Sequence, residues 1–152
     1  MTAEQRIRDM GLEIPDVPAP VAAYIPGMVT GNLLFTSGQL PTVKGELMSA
    51  GHVGSEVTPE DAYQAARIAG LNCLGVIKAE LGDLDRVTRV VKVTGFVSSA
   101  PDFTGQPQVV NGVSELLVEL FGEKGKHARA AVGMANLPLG ASVEVEMIVE
   151  FE

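Results

Sequence analysis

The chain has 152 residues, of which 46% are hydrophobic and 20% are charged, so it is long enough for a substantial core and too apolar to be disordered. The formal net charge of −8 and the scattered basic residues disfavour nucleic acid as a partner, because phosphate binding requires clustered lysine and arginine. No apolar run approaches the ~18 residues of a membrane helix, and the N-terminus lacks the apolar core of a signal peptide. We therefore expect a single domain over residues 1–152 that is cytoplasmic and has no membrane partner.

The cysteine and histidine content limits the chemistry that the chain can perform. Cys73 is the single cysteine, which excludes an intrachain disulfide, and its small apolar neighbours are typical of a buried packing thiol. The two histidines, His52 and His127, are far apart in sequence and match no zinc-site spacing. The sequence therefore predicts no metal site.

The first twenty residues predict a short helix followed by an extended segment. A helix over residues 3–10 has Thr2 as its N-cap, and Gln5 completes a capping box. Three prolines in residues 12–20 predict an extended lead-in to the rest of the chain.

A β-hairpin and a long connection follow the lead-in. Residues 21–29 and 33–37 are apolar, and Gly31-Asn32 between them is a turn signal. Residues 38–57 are mostly polar, and a connection of this length is often functional. We expect one short strand within it, near residues 46–50.

The middle of the chain predicts a long helix and then a strand. The sequence Thr58-Pro59-Glu60-Asp61 combines a hydroxyl cap, a proline at the first helical position and acids in the first turn. Small and apolar residues recur at helical spacing until Gly82, which indicates a helix lying close on a sheet. Residues 86–97 are rich in valine and threonine and predict a strand.

The C-terminal third predicts a loop, a helix and two strands. After a loop over residues 98–108, apolar residues at helical spacing mark a second long helix that ends at Gly122; they are Val109, Val113, Leu116, Leu117 and Leu120. Residues 127–135 and 142–151 predict the closing strands. The second of these alternates apolar residues with glutamates, as expected for a strand with one buried face.

The predicted order ββ(β)αβαββ places two long helices on one face of a single mixed β-sheet, with a short N-terminal helix in addition, so the fold class is α+β. Strand 127–135 is apolar on both faces, apart from His127 and Arg129. Two helices on one side cannot cover both faces, so we expect self-association, with the second face against another subunit. Arg129 and Glu144 would then lie near a subunit boundary.

Arg129 is the most informative residue of the chain, because its guanidinium interrupts an apolar run. An arginine cannot lose its charge, so a buried one needs an anionic partner. Glu144 can supply that partner, which would make a structural ion pair. A ligand can supply it instead, which would make a binding site, and the residues alone leave both alternatives open.

Four separated motifs, spread over nearly the whole chain, resemble the RidA/YjgF family of reactive-intermediate deaminases. The segment Arg129–Glu146 is similar to the family's C-terminal signature of an arginine, a Leu-Pro pair and two alternate glutamates. The segment Leu34–Pro41 resembles its second motif, a strand end that runs into Ser-Gly-Gln. Tyr24 stands where the family has a tyrosine upstream of that strand, and Asn111 matches an asparagine near the start of the second helix.

The resemblance implies a chorismate-mutase-like homotrimer with three clefts between subunits. Each cleft would hydrolyse a small 2-imino or enamino carboxylate to a 2-keto acid and ammonia, without a cofactor. By this resemblance, Arg129 binds the substrate carboxylate and Glu144 positions the water. The remaining pocket residues that it implies are Tyr24, Ser37, Gly38, Asn111 and Ala131.

Departures from the family pattern support two further hypotheses. The archetypal deaminases carry a cysteine where this chain has Ala131, which favours a protein that binds or senses a small carboxylate without turnover. The N-terminal helix and the segment Thr104–Gln108 resemble a divergent branch labelled endoribonuclease L-PSP. The acidic charge and the lack of a histidine pair or a basic groove disfavour that third activity.

Overall fold

The computed structural model describes residues 1–19 and 23–152 of the chain. The helices of this part are α1 (Ala3–Asp9), α2 (Pro59–Leu81) and α3 (Gln106–Phe121). The strands are β1 (Gly27–Thr30), β2 (Leu33–Thr36), β3 (Thr42–Val43), β4 (Glu46–Leu47), β5 (Val87–Ser98), β6 (Ala128–Met134) and β7 (Val143–Phe151).

Five of these strands form a mixed sheet in the order β1-β2-β7-β5-β6. The β5–β6 pair is parallel and the other pairs are antiparallel. Helices α2 and α3 pack on one face of this sheet, and the core lies between them and that face. The predicted α+β class, with two long helices on one face of a mixed sheet, is confirmed.

The N-terminal helix forms as predicted and is attached to the rest of the chain by polar contacts. Thr2 and Gln5 make both hydrogen bonds of the capping box. The backbone N–H of Ala3 donates to Asp85 Oδ1 at 3.0 Å, and Lys78 Nζ lies 2.8 Å from Glu4 Oε2. The first helix therefore packs against α3 and the turn that follows α2, and its Glu4 pairs with α2.

The predicted hairpin is present, but its first strand is shorter than expected. Residues 23–26 are not in a strand, and β1 begins only at Gly27. Pro26, which has no N–H to donate to a ladder, precedes it. Of the residues predicted as strand or lead-in, 20–22 lie outside the described part. Gly31 forms the turn with a φ of +58°.

The connection over residues 38–57 contains two short strands where one was expected. The strands β3 and β4 pair with each other as a separate two-stranded sheet. Lys44 and Gly45 between them have φ values of +51° and +83°, as a tight hairpin turn requires.

A glycine on each of the two long helices, Gly70 in α2 and Gly112 in α3, allows the helices to pack closely. A Cβ atom at Gly112 would clash with the carbonyl oxygen of Tyr63, and one at Gly70 would lie 2.7 Å from Val113 Cγ2. The sequence predicted that α2 lies close on a sheet, and Cys73 Sγ of α2 lies 3.4 Å from the carbonyl oxygen of Val145 in β7. Helix α2 begins and ends as predicted, with Thr58 Oγ1 accepting from the N–H of Asp61 and Gly82 as the C-cap.

Helix α3 begins earlier than the predicted loop over residues 98–108 allowed. Gln106 is its first residue, and Pro107 lies within the first turn, where the N–H that proline lacks is not needed. The C-terminal strands match the prediction closely. In β7 the buried residues are Val143, Val145, Met147 and Val149, and Glu144, Glu146 and Glu150 lie on the other face.

The face of the sheet opposite the helices exposes apolar side chains. Met28, Phe35 and Val132 are 55%, 39% and 38% exposed. Their register partners show that all three lie on this second face.

Cys73, in contrast, is fully buried under the helices as predicted, and burial raises the pKa of its thiol to about 12.

No helix within the described ranges is long and apolar enough to cross a lipid bilayer.

Candidate functional site

Arg129 lies on the edge strand β6 and its guanidinium is held by α3. Its Nη1 donates to Asn111 Oδ1 at 2.7 Å and to Ser114 Oγ at 3.3 Å. The pairing of Arg129 with Val93, which is buried under the helices, places its side chain on the helix side of the sheet. Two of the residues that the resemblance brought together, Arg129 and Asn111, are therefore in direct contact.

The other edge of the guanidinium has no hydrogen-bond or ion-pair partner among the residues that the structure describes. Arginine has five N–H donors, and the two on Nη1 are occupied by Asn111 and Ser114. Neither Nε nor Nη2 of Arg129 has a hydrogen bond or ion pair among the residues 1–19 and 23–152. These atoms form the side-on fork that binds a carboxylate in two parallel hydrogen bonds.

The expected burial of Arg129 is not observed. The residue is exposed in the single chain, because β6 is the last strand of the sheet. The structure does not contain the intrachain ion pair with Glu144 that was one of the two alternatives. It leaves the guanidinium open to an external anion.

Two residues near Arg129 were not anticipated as part of the site. Ser114 Oγ lies 2.9 Å from His127 Nε2, and His127 Nδ1 lies 2.6 Å from the carbonyl oxygen of Gly125. Ser114 is one helical turn beyond Asn111, and His127 is two residues before Arg129. The helical and strand periodicities could have identified both, because such spacings place side chains on a common face.

Glu144 belongs to a second group of residues, around the end of β2. A Cβ atom at Gly38 would lie 2.9 Å from Glu144 Cδ and 3.0 Å from its Oε1, so the carboxylate lies directly over this glycine. Gln39 holds the segment against β7, with its N–H donating to the Val145 carbonyl at 2.7 Å. Gly38 and Glu144, implied as site residues by separate motifs, are thus neighbours.

The carboxyl group of Glu144 is in an environment that favours its neutral form. Partial burial raises its pKa, and the negative charge of Glu146 on the same face raises it further. A carboxyl group with a raised pKa exchanges protons more readily near neutral pH than an ordinary surface glutamate does.

Ser37 and Tyr24 lie beside this second group. Ser37 Oγ donates to the carbonyl oxygen of Ile25 at 2.6 Å, which ties the end of β2 to the segment before β1. Tyr24, the residue before Ile25, is 64% exposed and is not part of the core. Ala131, the fifth implied lining residue, lies on β6 two residues after Arg129 and on the same face.

The implied site residues therefore form two separate groups. The arginine half contains Arg129, Asn111 and Ala131, and Ser114 and His127 support it. The glutamate half contains Glu144, Gly38, Ser37 and Tyr24. Contacts within one chain join Arg129 to Asn111 and Glu144 to Gly38.

A further cavity in the described part of the chain lies elsewhere. It has a volume of about 630 Å³ and is lined by residues that include His52, Gln106 and Met134, but not Arg129 or Glu144. His52 Nε2 contacts the carbonyl oxygen of Ala135 at 2.7 Å, and Gln106 Nε2 donates to the Phe103 carbonyl at 2.8 Å. These polar atoms are engaged with the protein, so we do not assign this cavity as the site. The described residues also contain no cluster of three or more potential metal ligands.

Comparisons with known proteins agree with this description of the fold. The chain is 43% identical to Protein TCP17 of Trypanosoma cruzi over 145 residues, which are 95% of this chain and 91% of that protein. It is 29% identical to a 2-iminobutanoate/2-iminopropanoate deaminase of Dermatophagoides farinae, with 93% of this chain and 95% of that protein covered. The crystal structure of Atu1372 from Agrobacterium tumefaciens, a protein described as of unknown function, matches with a TM-score of 0.94 and 45% identity over 99% of this chain and 92% of that one.

A family model matches almost the whole chain. It spans residues 4–151 and is described as "YjgF/chorismate_mutase-like, putative endoribonuclease". The match includes both halves of the candidate site and the N-terminal helix. The chain belongs to the YjgF family, as its motifs indicated.

Proposed function

We propose that this protein hydrolyses small 2-imino or enamino carboxylates to 2-keto acids and ammonia, in clefts formed between copies of the chain in a homotrimer. Arg129 binds the substrate carboxylate and Glu144 positions the attacking water. Tyr24, Ser37, Gly38, Asn111 and Ala131 line the cleft. The deaminase named among the relatives supports this reaction class.

The observation that carries the proposal is the unoccupied edge of Arg129. Asn111 and Ser114 take both N–H groups of Nη1, so the guanidinium is fixed while the Nε–Nη2 fork remains open. A fork fixed in this way binds a carboxylate in one orientation and so places the adjacent C2 atom of a 2-imino acid. A guanidinium with a purely structural role would direct this edge to an acceptor in its own chain.

A second copy of the chain is needed to complete the cleft. In β5, the partner of Arg129 is Val93 and the partner of Glu144 is Phe96. These two residues are separated by an odd number of positions, so Arg129 and Glu144 lie on opposite faces of the sheet. A cleft that contains both groups must combine the arginine half of one copy with the glutamate half of another.

The exposed apolar face supports such an assembly. Met28, Phe35 and Val132 lie on the side of the sheet that the helices leave uncovered. Exposed apolar surface of this kind, on a sheet whose other face is fully packed, is typical of a subunit interface. This face also carries Glu144, so its association would bring the glutamate half to a boundary between copies.

The reaction requires only positioning and proton transfer. Glu144 accepts a proton from water as the water oxygen bonds to C2 of the imine, and passes that proton to the imine nitrogen, which gives a carbinolamine and restores the carboxylate. Transfer of the remaining hydroxyl proton to nitrogen then breaks the C2–N bond and releases ammonia and the 2-keto acid. The raised pKa of Glu144 suits it to this exchange of protons.

A direct test measures keto-acid release from an imine that an amino acid oxidase generates in the same solution. The wild-type protein is expected to raise the rate of release above that of buffer, and Arg129→Ala is expected to abolish the increase. Arg89→Ala is the matched control, because Arg89 is an exposed arginine on β5 whose contact is Glu150. Equal rates for wild type and Arg129→Ala would overturn the proposal.

Ala131 favours a second function, the binding of a small carboxylate without turnover. It stands where the archetypal deaminases carry a cysteine, and the single cysteine of the chain, Cys73, is fully buried. Calorimetry with 2-oxobutanoate distinguishes the two functions. Binding that depends on Arg129 without any acceleration of imine hydrolysis would support a binding or sensing role, and turnover would support the deaminase.

A further inference from the structure

Arg129 is connected through Ser114 to a buried turn of the backbone. The contacts form a chain: the Gly125 carbonyl to His127 Nδ1 at 2.6 Å, His127 Nε2 to Ser114 Oγ at 2.9 Å, and Ser114 Oγ to Arg129 Nη1 at 3.3 Å. Gly125 is buried, and a Cβ atom there would clash with the carbonyl of Leu117 in α3. The Gly125 end of this series of hydrogen bonds is therefore anchored in the packed interior.

The proton positions in this series of hydrogen bonds follow from the groups at its two ends, the Gly125 carbonyl and the Arg129 guanidinium. The Gly125 carbonyl can only accept, so His127 Nδ1 must carry a proton. Arg129 Nη1 can only donate, so Ser114 Oγ accepts from it. Burial lowers the pKa of His127, the Gly125 contact opposes this effect, and the charge of Arg129 lowers the pKa further. The ring is therefore neutral at pH 8, and Nε2 carries no proton. Ser114 must then donate its own proton to Nε2, and every hydrogen bond has one direction.

We propose that Ser114 and His127 are positioning residues that orient the Arg129 guanidinium, so that its Nε–Nη2 edge meets a carboxylate in a single geometry. The proposal rests on the proposed role of Arg129 as a carboxylate-binding residue. Asn111 fixes one N–H of Nη1, and the Ser114–His127 pair fixes the other. With both fixed, rotation of the planar group about its Cδ–Nε bond is restricted, and the free edge keeps one direction.

A pair of histidine variants separates this role from simple packing. In His127→Gln, the side-chain amide reaches the position of Nε2 and preserves an acceptor for Ser114. In His127→Asn, the shorter amide reaches the position of Nδ1 and preserves only the contact with Gly125. If His127 matters by supporting the turn at Gly125, the asparagine variant retains function; if it matters by orienting Arg129, the glutamine variant does.

The measurement is the affinity for 2-oxobutanoate by calorimetry, with thermal stability recorded for each variant. We expect His127→Asn and Ser114→Ala each to weaken binding about fivefold, the effect of one lost hydrogen bond, and His127→Gln to stay within about twofold of wild type. Wild-type affinity in His127→Asn, or equal weakening in both histidine variants, would overturn the proposal. Wild-type affinity in Arg129→Ala would overturn the proposed function instead.

A spectroscopic measurement tests the direction of the hydrogen bonds through His127 and Ser114 without any ligand. Long-range ¹H–¹⁵N spectra of the ¹⁵N-labelled protein at pH 8 report which ring nitrogen carries the proton, and the His127 signals are identified by their loss in His127→Gln. We expect the Nδ1–H tautomer. The Nε2–H tautomer would reverse the direction of the Ser114 hydrogen bond and would overturn the proposed positioning role, whatever the carboxylate affinities show.

Discussion

Arg129 and Glu144 leave the central sheet from opposite faces. Their partners on β5, Val93 and Phe96, are three residues apart, about 10 Å along the strand, and β6 and β7 flank β5 on opposite sides. Arg129 is bound by α3, while Glu144 lies over Gly38. One chain therefore holds the arginine half and the glutamate half of the proposed site on opposite faces of the sheet.

The first prediction concerns the two glutamates that share the second face of β7. Glu144→Gln removes the proton acceptor that we propose for water and is expected to lower kcat for imine hydrolysis by about 10² or more. Glu146→Gln is the matched control, because it changes the same functional group two residues along the same face. Its kcat should stay within a few-fold of wild type. Similar losses in both variants would contradict the assignment of Glu144.

The second prediction uses the close contact between Gly38 and Glu144. In Gly38→Ala the new methyl group would lie 2.9 Å from Glu144 Cδ, so the carboxylate must move. Gly38 is exposed and its φ is not positive, so the free energy of unfolding should change by less than about 1 kcal/mol. We expect kcat/KM to fall about tenfold or more, because the water is misplaced. Full activity in a variant of normal stability would show that the position of Glu144 is unimportant.

The third prediction concerns the two histidines, whose pKa values should move in opposite directions. Burial lowers the pKa of His127 below 6.5, and the hydrogen bond to the Ala135 carbonyl raises that of His52 above 6.5. In the tag-free protein, the two ring-proton titrations by NMR should have midpoints on either side of 6.5. Midpoints in the reverse order would contradict the described environments.

The lowered pKa of His127 also predicts how stability changes with pH. Because its folded pKa is depressed, the unfolded state binds more protons just below pH 6.5, so this residue lowers stability as the pH falls from 6.5 through the folded pKa. His127→Gln should therefore lose less stability than wild type between pH 7 and pH 5, measured by urea denaturation. The same slope in both proteins would show that His127 does not titrate in this way.

The sequence predicted most elements because local signals and tertiary packing agree in this chain. The hydroxyl of Thr58 caps α2 as its motif indicates, and Gly82 ends it. The prediction missed where those signals are weak: Gln106 begins α3 without a side-chain cap, and no periodicity marked its start. The strand predicted from residue 21 begins at Gly27, because apolar composition alone does not identify a paired strand.

The candidate site was predicted unevenly for a physical reason. Motif resemblance identified Arg129, Asn111, Gly38 and Glu144, and the structure groups them in two pairs. Ser114 and His127 were not identified, because neither belongs to a motif of the resemblance and only their spacing from Asn111 and Arg129 marks them. Which faces of the sheet carry Arg129 and Glu144 depends on strand order and register, which the sequence does not encode locally.

The shared cleft is tested most directly by mixing two inactive variants. Arg129→Ala and Glu144→Gln are unfolded together in equal amounts and refolded, so that the copies assort at random. Clefts that combine an intact arginine half with an intact glutamate half should make up about a quarter of the total and restore about a quarter of wild-type activity. Arg129→Ala mixed with Asn111→Ala, two changes within the arginine half, is the matched control and should restore none. Recovery in the first mixture alone is the predicted result, and activity no greater than that of the separate variants would contradict a cleft built from two copies.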